Sequence, residues 1–231
     1  MKIKKYVLLI SLLVIVLGTG AVIFAGGGFS VNSAYQLGKK ASENAADEDK
    51  SKVLAVVGGK EIYQYDIDNR MMANEYQMKL STKISEGISS SQNGSEDKIL
   101  NERQLKDKAL DSVIRNKLIY LKCETLGIYP SREEASRMWE ITEQTLKEAL
   151  DSENEISREK ASQALNTMKG NQAGLGLSDN EYNELLVESY RELLCSERLE
   201  NYYINNVNSE EYETYEAYLE SLKEEFEVIY Y

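Results

Sequence analysis

A chain of 231 residues, 42% hydrophobic and 29% charged, has room for one or two folded domains, and this composition excludes a largely disordered protein. The formal net charge of −12 argues against nucleic acid as a partner, because phosphate binding requires a basic face. The sequence contains no histidine, which excludes Ser-His-Asp and Cys-His catalysis and histidine-ligated zinc. No spacing of carboxylate, lysine or tyrosine residues suggests a catalytic, metal or cofactor site, so we expect no enzyme.

The chain begins with a basic stub and an uncharged apolar run. Residues 1–5 include three lysines, and residues 6–25 read YVLLISLLVIVLGTGAVIFA. Twenty apolar residues in a helix cross a bilayer core of roughly 30 Å. Because lysines favour the cytoplasmic side, the pattern predicts a single-pass signal anchor, with a cytoplasmic stub and everything after residue 25 outside. A cleaved signal peptide is the alternative, since Thr19 and Ala21 offer small residues to a signal peptidase, and cleavage would give a secreted protein.

Residues 26–51 are rich in Gly, Ser, Asn and charge. This composition predicts a flexible tether between the membrane and the exported domain. A frayed extension of the membrane helix is the alternative. The domain itself is predicted to span residues 52–231.

The domain opens with a strand pattern in a sequence that otherwise favours helices. Residues 53–63, VLAVVGGKEIY, predict two strands joined by a Gly-Gly turn. A helix over residues 64–85 and a polar loop over 86–97 follow. The C-terminal run FEVIY, residues 226–230, has the only other strand pattern of useful length. We therefore predict that residues 53–57 and 226–230 are neighbouring strands of one small sheet.

Helix patterns fill the rest of the domain. The second helix, residues 96–126, carries the clearest apolar stripe and ends at Gly127. Further helices are predicted over residues 131–150, 156–169, 178–206 and 209–224, with GNQAGLGL as a loop before Ser178. Two capping boxes, in which a serine and a glutamate three positions later satisfy each other's backbone N–H groups, open two of these helices. The stripe and the capping boxes consist of Leu110, Val113, Ile114, Leu118 and Leu121, and of the pairs Ser131–Glu134 and Ser178–Glu181.

The two cysteines, Cys123 and Cys195, both lie on helix patterns. This placement favours two small buried side chains. A disulfide between them is allowed outside the cytoplasm. A reactive thiol is disfavoured, because neither cysteine adjoins a cluster of cationic residues.

Three segments of the sequence resemble the N-terminal chaperone domain shared by the exported foldases SurA and PrsA. They are LAVVGGKEIYQYDI, LDSVIRNKLIYLKCETLGIYPSREEA and YLESLKEEFEVIYY. Gly58 and Tyr63 depart from the asparagine and threonine that the family usually has. The resemblance implies a mainly α multi-helix domain closed by a small sheet of the N-terminal hairpin and the C-terminal strand. Many relatives also carry a parvulin-type prolyl isomerase domain, whose site includes histidines, so we expect no prolyl isomerase activity here.

The resemblance implies a role in protein folding and protein export. We expect a membrane-tethered extracytoplasmic chaperone that binds unfolded or newly exported polypeptides without ATP, since the sequence has no Walker-type phosphate loop. Tyrosine, methionine and tryptophan supply adaptable contact area, although core packing is the alternative for each of them. A non-catalytic adaptor or structural subunit of an envelope or export complex, binding one partner, is the other hypothesis. The oligomeric state stays open. The candidate polypeptide-binding residues are Tyr65, Met72, Tyr76 and Trp139.

Overall fold

The computed structural model describes residues 31–47, 51–74, 102–207 and 212–231. Within these residues the protein is mainly helical and contains one small sheet, as the sequence predicts. The elements in chain order are α1 Val31–Ala46, β1 Val53–Val57, β2 Lys60–Tyr63, α2 over the described residues 64–74, α3 Glu102–Thr125, α4 Arg132–Leu150, α5 Glu155–Leu175, α6 Asp179–Asn206, α7 Tyr215–Glu225 and β3 Val228–Tyr230.

The three strands form an antiparallel sheet in the order β2-β1-β3. Gly58 and Gly59 make the hairpin turn with φ values of 52° and 75°, a left-handed conformation that glycine adopts without steric cost. Val57 lies opposite Val228. The predicted pairing of the two ends of the domain is therefore confirmed. The C-terminal strand is shorter than predicted, because Phe226 caps α7 and only the residues from 228 onward pair with β1.

A first group of apolar side chains, the sheet core, fills the space between the sheet, α3, the C-terminal half of α6 and α7. Within the predicted stripe of α3 only Leu110 is partly exposed. Gly127, with φ 68°, ends α3 in a Schellman turn, in which the Ile128 N–H donates to the Cys123 carbonyl at 3.0 Å. The buried members of the sheet core are Ala55, Val57, Ile62, Ile67, Ala109, Val113, Ile114, Leu118, Ile119, Leu121, Cys123, Cys195, Leu199, Tyr218, Leu219 and Leu222.

A second group, the helical core, lies between α1, α4, α5 and the N-terminal half of α6. Trp139 and Tyr190 pack with their ring centroids 6.3 Å apart, and the Tyr190 hydroxyl lies 2.6 Å from Thr142 Oγ1. Both predicted capping boxes are present, at the start of α4 and at the start of α6. The buried members of the helical core are Ala41, Ala45, Ala135, Trp139, Met168, Leu175, Tyr182, Leu185, Leu186, Val187 and Tyr190.

The prediction of a flexible tether over residues 26–51 is wrong for Val31–Ala46, which forms α1. Small residues make this helix possible, because they bring its backbone directly onto α5. A Cβ atom placed on Gly38 would lie 2.4 Å from the Asn171 carbonyl oxygen. Polar composition predicts disorder only when a segment has no surface to pack on, and α5 supplies that surface. The buried positions of α1 are Ala34, Gly38, Ala41 and Ala45.

The prediction of a loop over GNQAGLGL is wrong for the first six residues of that run, because α5 continues to Leu175. The helix ends at Gly176, which has φ 67°. Cβ atoms on Gly170 and Gly174 would lie 2.5 Å from the Val31 carbonyl oxygen and 2.1 Å from the Tyr35 carbonyl oxygen. These glycines are the contact surface for α1. Glycine weakens an isolated helix, but here the packing that it permits outweighs that propensity.

Several predictions fall on residues outside the described ranges. They include the basic stub, the transmembrane segment, the polar loop over residues 86–97 and Tyr76. Among the helices of the described ranges, none has the length and apolar character needed to cross a membrane.

Candidate functional site

A groove with a volume of about 460 Å³ runs along the C-terminal half of α6, beside the turn that follows α3. One side of the groove is the last two turns of α6, and the other is the backbone of the turn. The lining residues are Gly127, Ile128, Arg198, Asn201, Tyr202, Asn205 and Asn206.

Arg198 holds the two sides of the groove together. Its guanidinium donates to the Ile128 carbonyl oxygen at 3.1 Å and forms an ion pair with Glu134. Glu134 in turn accepts from the backbone N–H of Ser131 at 2.8 Å as part of the α4 capping box. This backbone hydrogen bond, followed by the contact with Arg198, lowers the pKa of the Glu134 carboxyl. These contacts connect the end of α3, the start of α4 and α6 beside the groove.

Three asparagines give the groove its polar character. Asn205 Nδ2 donates to the Asn201 carbonyl oxygen at 2.7 Å, and Asn206 Nδ2 donates to the Tyr202 carbonyl oxygen at 3.0 Å. In the described residues no donor reaches the side-chain oxygens of these three asparagines. A primary amide can donate and accept, so it matches the N–H and C=O groups of a peptide backbone without selecting for a particular side chain.

Apolar and acidic groups complete the surroundings of the groove. Ile128 and the Tyr202 ring are half-buried and offer apolar area. Arg198 is the only cationic residue that lines the groove, and Glu134 already neutralises it. Glu197 and Glu200 are exposed on the same half of α6. The arrangement therefore suits an extended chain with apolar and cationic side chains.

Three of the predicted polypeptide-binding residues, Tyr65, Met72 and Trp139, lie in the described part of the chain, and none of these three lines the groove. Tyr65 is 7% exposed and stacks on Tyr63, and Trp139 is 8% exposed within the helical core. Both side chains are therefore almost fully covered, which favours core packing, and their part in polypeptide binding stays a prediction. Met72 is half-buried against the helical core, so a role in client contact stays a prediction for it, and Tyr76 lies outside the described residues.

Sequence reasoning missed the groove residues because they lie on the polar face of α6. Asn201 and Asn205 are four positions apart and so share one face of the helix. The available signal was the run ENYYINN itself. Asparagine is a weak helix former, so three asparagines within six helical positions are unusual unless their amides have another use.

The described residues contain no group of three or more His, Cys, Asp or Glu side chains that could hold a metal ion. What the groove residues can do chemically is donate and accept hydrogen bonds and cover apolar surface.

Sequence comparison identifies the class of domain to which this architecture belongs. The family model described as SurA-like N-terminal domain matches residues 2–165, more than two thirds of the chain. The protein therefore belongs to the SurA-like N-terminal domain family, as its sequence motifs indicate. Comparisons with curated proteins and with solved structures gave no significant match.

The limits of the family match differ from those of the resemblance. The match begins at residue 2, whereas the resemblance begins at about residue 52, so the match includes α1. It ends at residue 165, inside α5, and therefore covers the α3–α4 side of the groove but not the α6 side. The asparagines of the groove are thus features of this chain that the family match does not describe.

Proposed function

We propose that the protein is a chaperone that binds unfolded or newly exported polypeptides without ATP, and that the α6 groove is its binding site. Membership of a chaperone-type domain family supports the general role. The observation that carries the proposal is the combination of amide groups and half-buried apolar side chains in one groove, whose two sides Arg198 connects.

The proposed binding mode is non-catalytic. An extended client segment lies along α6, and its backbone exchanges hydrogen bonds with Asn201 and Asn205. Its apolar side chains cover Tyr202 and Ile128, while Glu197 and Glu200 attract its lysines and arginines. Contacts to the backbone accept many sequences, and the small apolar area keeps binding weak enough for release.

Binding of a permanently unfolded client, such as a reduced and carboxymethylated protein labelled with a fluorophore, tests this site. The double variant Asn201→Ala/Asn205→Ala should weaken binding about tenfold, because it removes hydrogen bonds that together contribute about 1.4 kcal/mol. The matched control is Asn180→Ala/Asn183→Ala, which changes two exposed asparagines in the first turns of the same helix. Equal affinity of the two double variants would reject the groove as the site.

We also propose that residues 6–25 anchor the protein in a membrane, with residues 1–5 in the cytoplasm and the folded domain outside. The support is the sequence pattern of three lysines followed by an uncharged apolar run. Cell fractionation should place the protein with membranes, and the intact mass should retain the apolar segment. A mature N-terminus near Val22 or Gly26 would instead establish a cleaved signal and a secreted protein.

An adaptor that binds one partner in an envelope or export complex is the second candidate, and the sheet edge favours it. β3 is an edge strand, and its Ile229 and Tyr230 side chains are 41% and 58% exposed. Such an edge can pair with a strand of a specific partner. Crosslinking in cells followed by a pull-down separates the two functions. Many substoichiometric clients support the chaperone, whereas one stoichiometric partner supports the adaptor.

We further propose that the protein does not catalyse prolyl isomerisation, since the sequence lacks the histidines of the parvulin site that the family resemblance implies. A peptide assay should show the uncatalysed rate at every protein concentration. An acceleration that follows protein dose through purification would overturn this part of the proposal.

A further inference from the structure

The two cysteines of the chain meet in the sheet core. Cys123 on α3 and Cys195 on α6 are 72 positions apart, and their side chains are 0% and 1% exposed. The Cys123 thiol donates to the Cys195 backbone carbonyl oxygen at 3.3 Å, and both thiols are free in the structure. No third cysteine exists in the sequence, so neither thiol has a competing partner within the chain.

The surroundings give the two thiols different acidities. The hydrogen bond with Cys195 lowers the pKa of the Cys123 thiol, with a smaller contribution from the positive charge of Arg198. The same hydrogen bond, together with burial, raises the pKa of the Cys195 thiol. In the packed core Cys123 is therefore the thiol that ionises first.

We propose that Cys123 and Cys195 form an intramolecular disulfide that joins α3 to α6 when the domain folds in an oxidising compartment. The inference rests on the export proposed above, because a reducing cytoplasm keeps thiols free. Since both thiols are buried in the folded domain, the bond forms during folding, before α3 and α6 exclude the oxidant.

The oxidant required is a low-molecular-weight disulfide such as oxidised glutathione. Before the core packs, one of the two cysteines attacks one sulfur of the oxidant as a thiolate, which breaks the S–S bond of the oxidant and releases one thiolate. The other cysteine, also deprotonated, then attacks the first in the mixed disulfide and releases the second thiolate. Two electrons pass from the cysteines to the oxidant, and the two protons lost from the cysteines end on the two released thiols.

The disulfide would close a loop that contains α4 and α5, the helices between the two cysteines in the chain. Closing a loop of this length restricts the unfolded chain strongly. A bond within the sheet core would thereby also stabilise the helical core, because α4 and α5 belong to the latter.

The test uses the full-length chain, unfolded in reductant and refolded with either oxidised glutathione or reductant alone. After oxidative refolding we expect no maleimide labelling of the denatured monomer, and a mass lower by two hydrogen atoms. The oxidised protein should unfold at a urea concentration higher by about 1 M than the reduced protein. Cys123→Ser and Cys195→Ser should each leave one labelled thiol and abolish the difference between the oxidised and reduced samples.

Two results would overturn the inference. The first is labelling of both thiols after oxidative refolding of a chain that has regained its native circular dichroism. The second is the finding of two free thiols in protein that is treated with maleimide directly in cells and then isolated from the cell fraction that contains it. Client binding is measured on the reduced protein. Absence of the disulfide would therefore leave the proposed chaperone function intact, and absence of client binding would leave the proposed disulfide intact.

Discussion

The sheet core and the helical core reach a packed interior by opposite means. In the sheet core, large branched side chains such as Ile62, Ile114 and Leu118 fill the space between elements. On the α1 side of the helical core there is almost no space to fill, because Gly38 and Gly174 let two helix backbones come into direct contact. α6 belongs to both regions and connects them.

The difference implies that opposite changes in side-chain volume destabilise the two kinds of packing. A core filled by large side chains is sensitive to the loss of volume, because removal leaves a cavity. A contact between backbones is sensitive to added volume, because no flexible side chain can move aside. Four substitutions or truncations, taken in order of decreasing effect, test this contrast and the contacts around it.

We expect the largest effect from Leu118→Ala in the sheet core. Leu118 is buried in the stripe of α3, and truncation of such a side chain destabilises a protein by about 2–5 kcal/mol. Urea unfolding followed by circular dichroism measures the change in free energy. The control is Leu150→Ala at the exposed end of α4, which should cost less than about 1 kcal/mol. Equal losses would mean that the sheet core does not depend on filled volume.

The sheet core could be predicted from the sequence because large side chains leave a periodic signal. The spacing of Leu110, Leu118 and their neighbours indicated α3, and the apolar run of β1 with its Gly-Gly turn and the alternation at the C-terminus indicated the sheet. The α1–α5 contact could not be predicted in the same way. Gly170, Gly174 and the small residues of α1 have low hydropathy and low helix propensity, and only the partner helix explains them. The groove escaped prediction for a related reason, because asparagines on a polar helix face resemble an ordinary solvated surface.

Removal of residues 226–231 should have the next largest effect. Phe226 and Val228 are half-buried against the sheet core, whereas Ile229, Tyr230 and Tyr231 are exposed. The truncation also removes the hydrogen bond from the Gly58 N–H to the Phe226 carbonyl oxygen, at 2.7 Å, and the pairing of β1 with β3. Together these losses amount to about 2–4 kcal/mol.

The loss of stability expected from the structure for this truncation is smaller than the loss that the sequence pattern suggests. Alternation in the C-terminal strand predicts a fully buried apolar face, but the exposed Tyr230 shows that this face is only partly covered. A truncated protein that still folds, with a lower unfolding midpoint, is the expected result. The control is the substitution Tyr231→Ala, which keeps the strand. A truncated chain that melts with the full-length chain would show that β3 contributes nothing to the domain.

Gly174→Ala should destabilise the helical core by about 1–3 kcal/mol, the usual cost of overpacking. The new Cβ would lie 2.1 Å from the Tyr35 carbonyl oxygen and 2.8 Å from the Lys39 backbone nitrogen. This clash outweighs the gain of about 1 kcal/mol in helix propensity. Ala173→Leu, on the exposed face of the same turn, is the control and should be nearly neutral. If Gly174→Ala stabilises the protein instead, α1 does not pack on α5 in solution.

The smallest effect concerns the ion pair that fixes the groove and is a dependence on pH. The pKa of the Glu134 carboxyl is lowered from its ordinary value of 4.5 by the hydrogen bond from the Ser131 backbone and by Arg198. A group with a lowered pKa in the folded state stabilises the protein above its unfolded pKa. That contribution is lost as the pH falls below 4.5 and through the lowered value.

Glu134→Gln keeps an acceptor for the capping box but removes the charge. We therefore expect its melting temperature to lie slightly below that of the unmodified protein at pH 6, and the gap to close in acid. The control is Glu133→Gln, which changes a carboxylate in the same turn that has no hydrogen bond or ion pair within the described residues. The difference in melting temperature between this control and the unmodified protein should therefore not close in the same way as the pH falls. A difference for Glu134→Gln that persists unchanged in acid would mean that the charge of the Glu134 carboxylate does not hold Arg198 in place, which would leave the hydrogen bond to the Ile128 carbonyl as the contact that does.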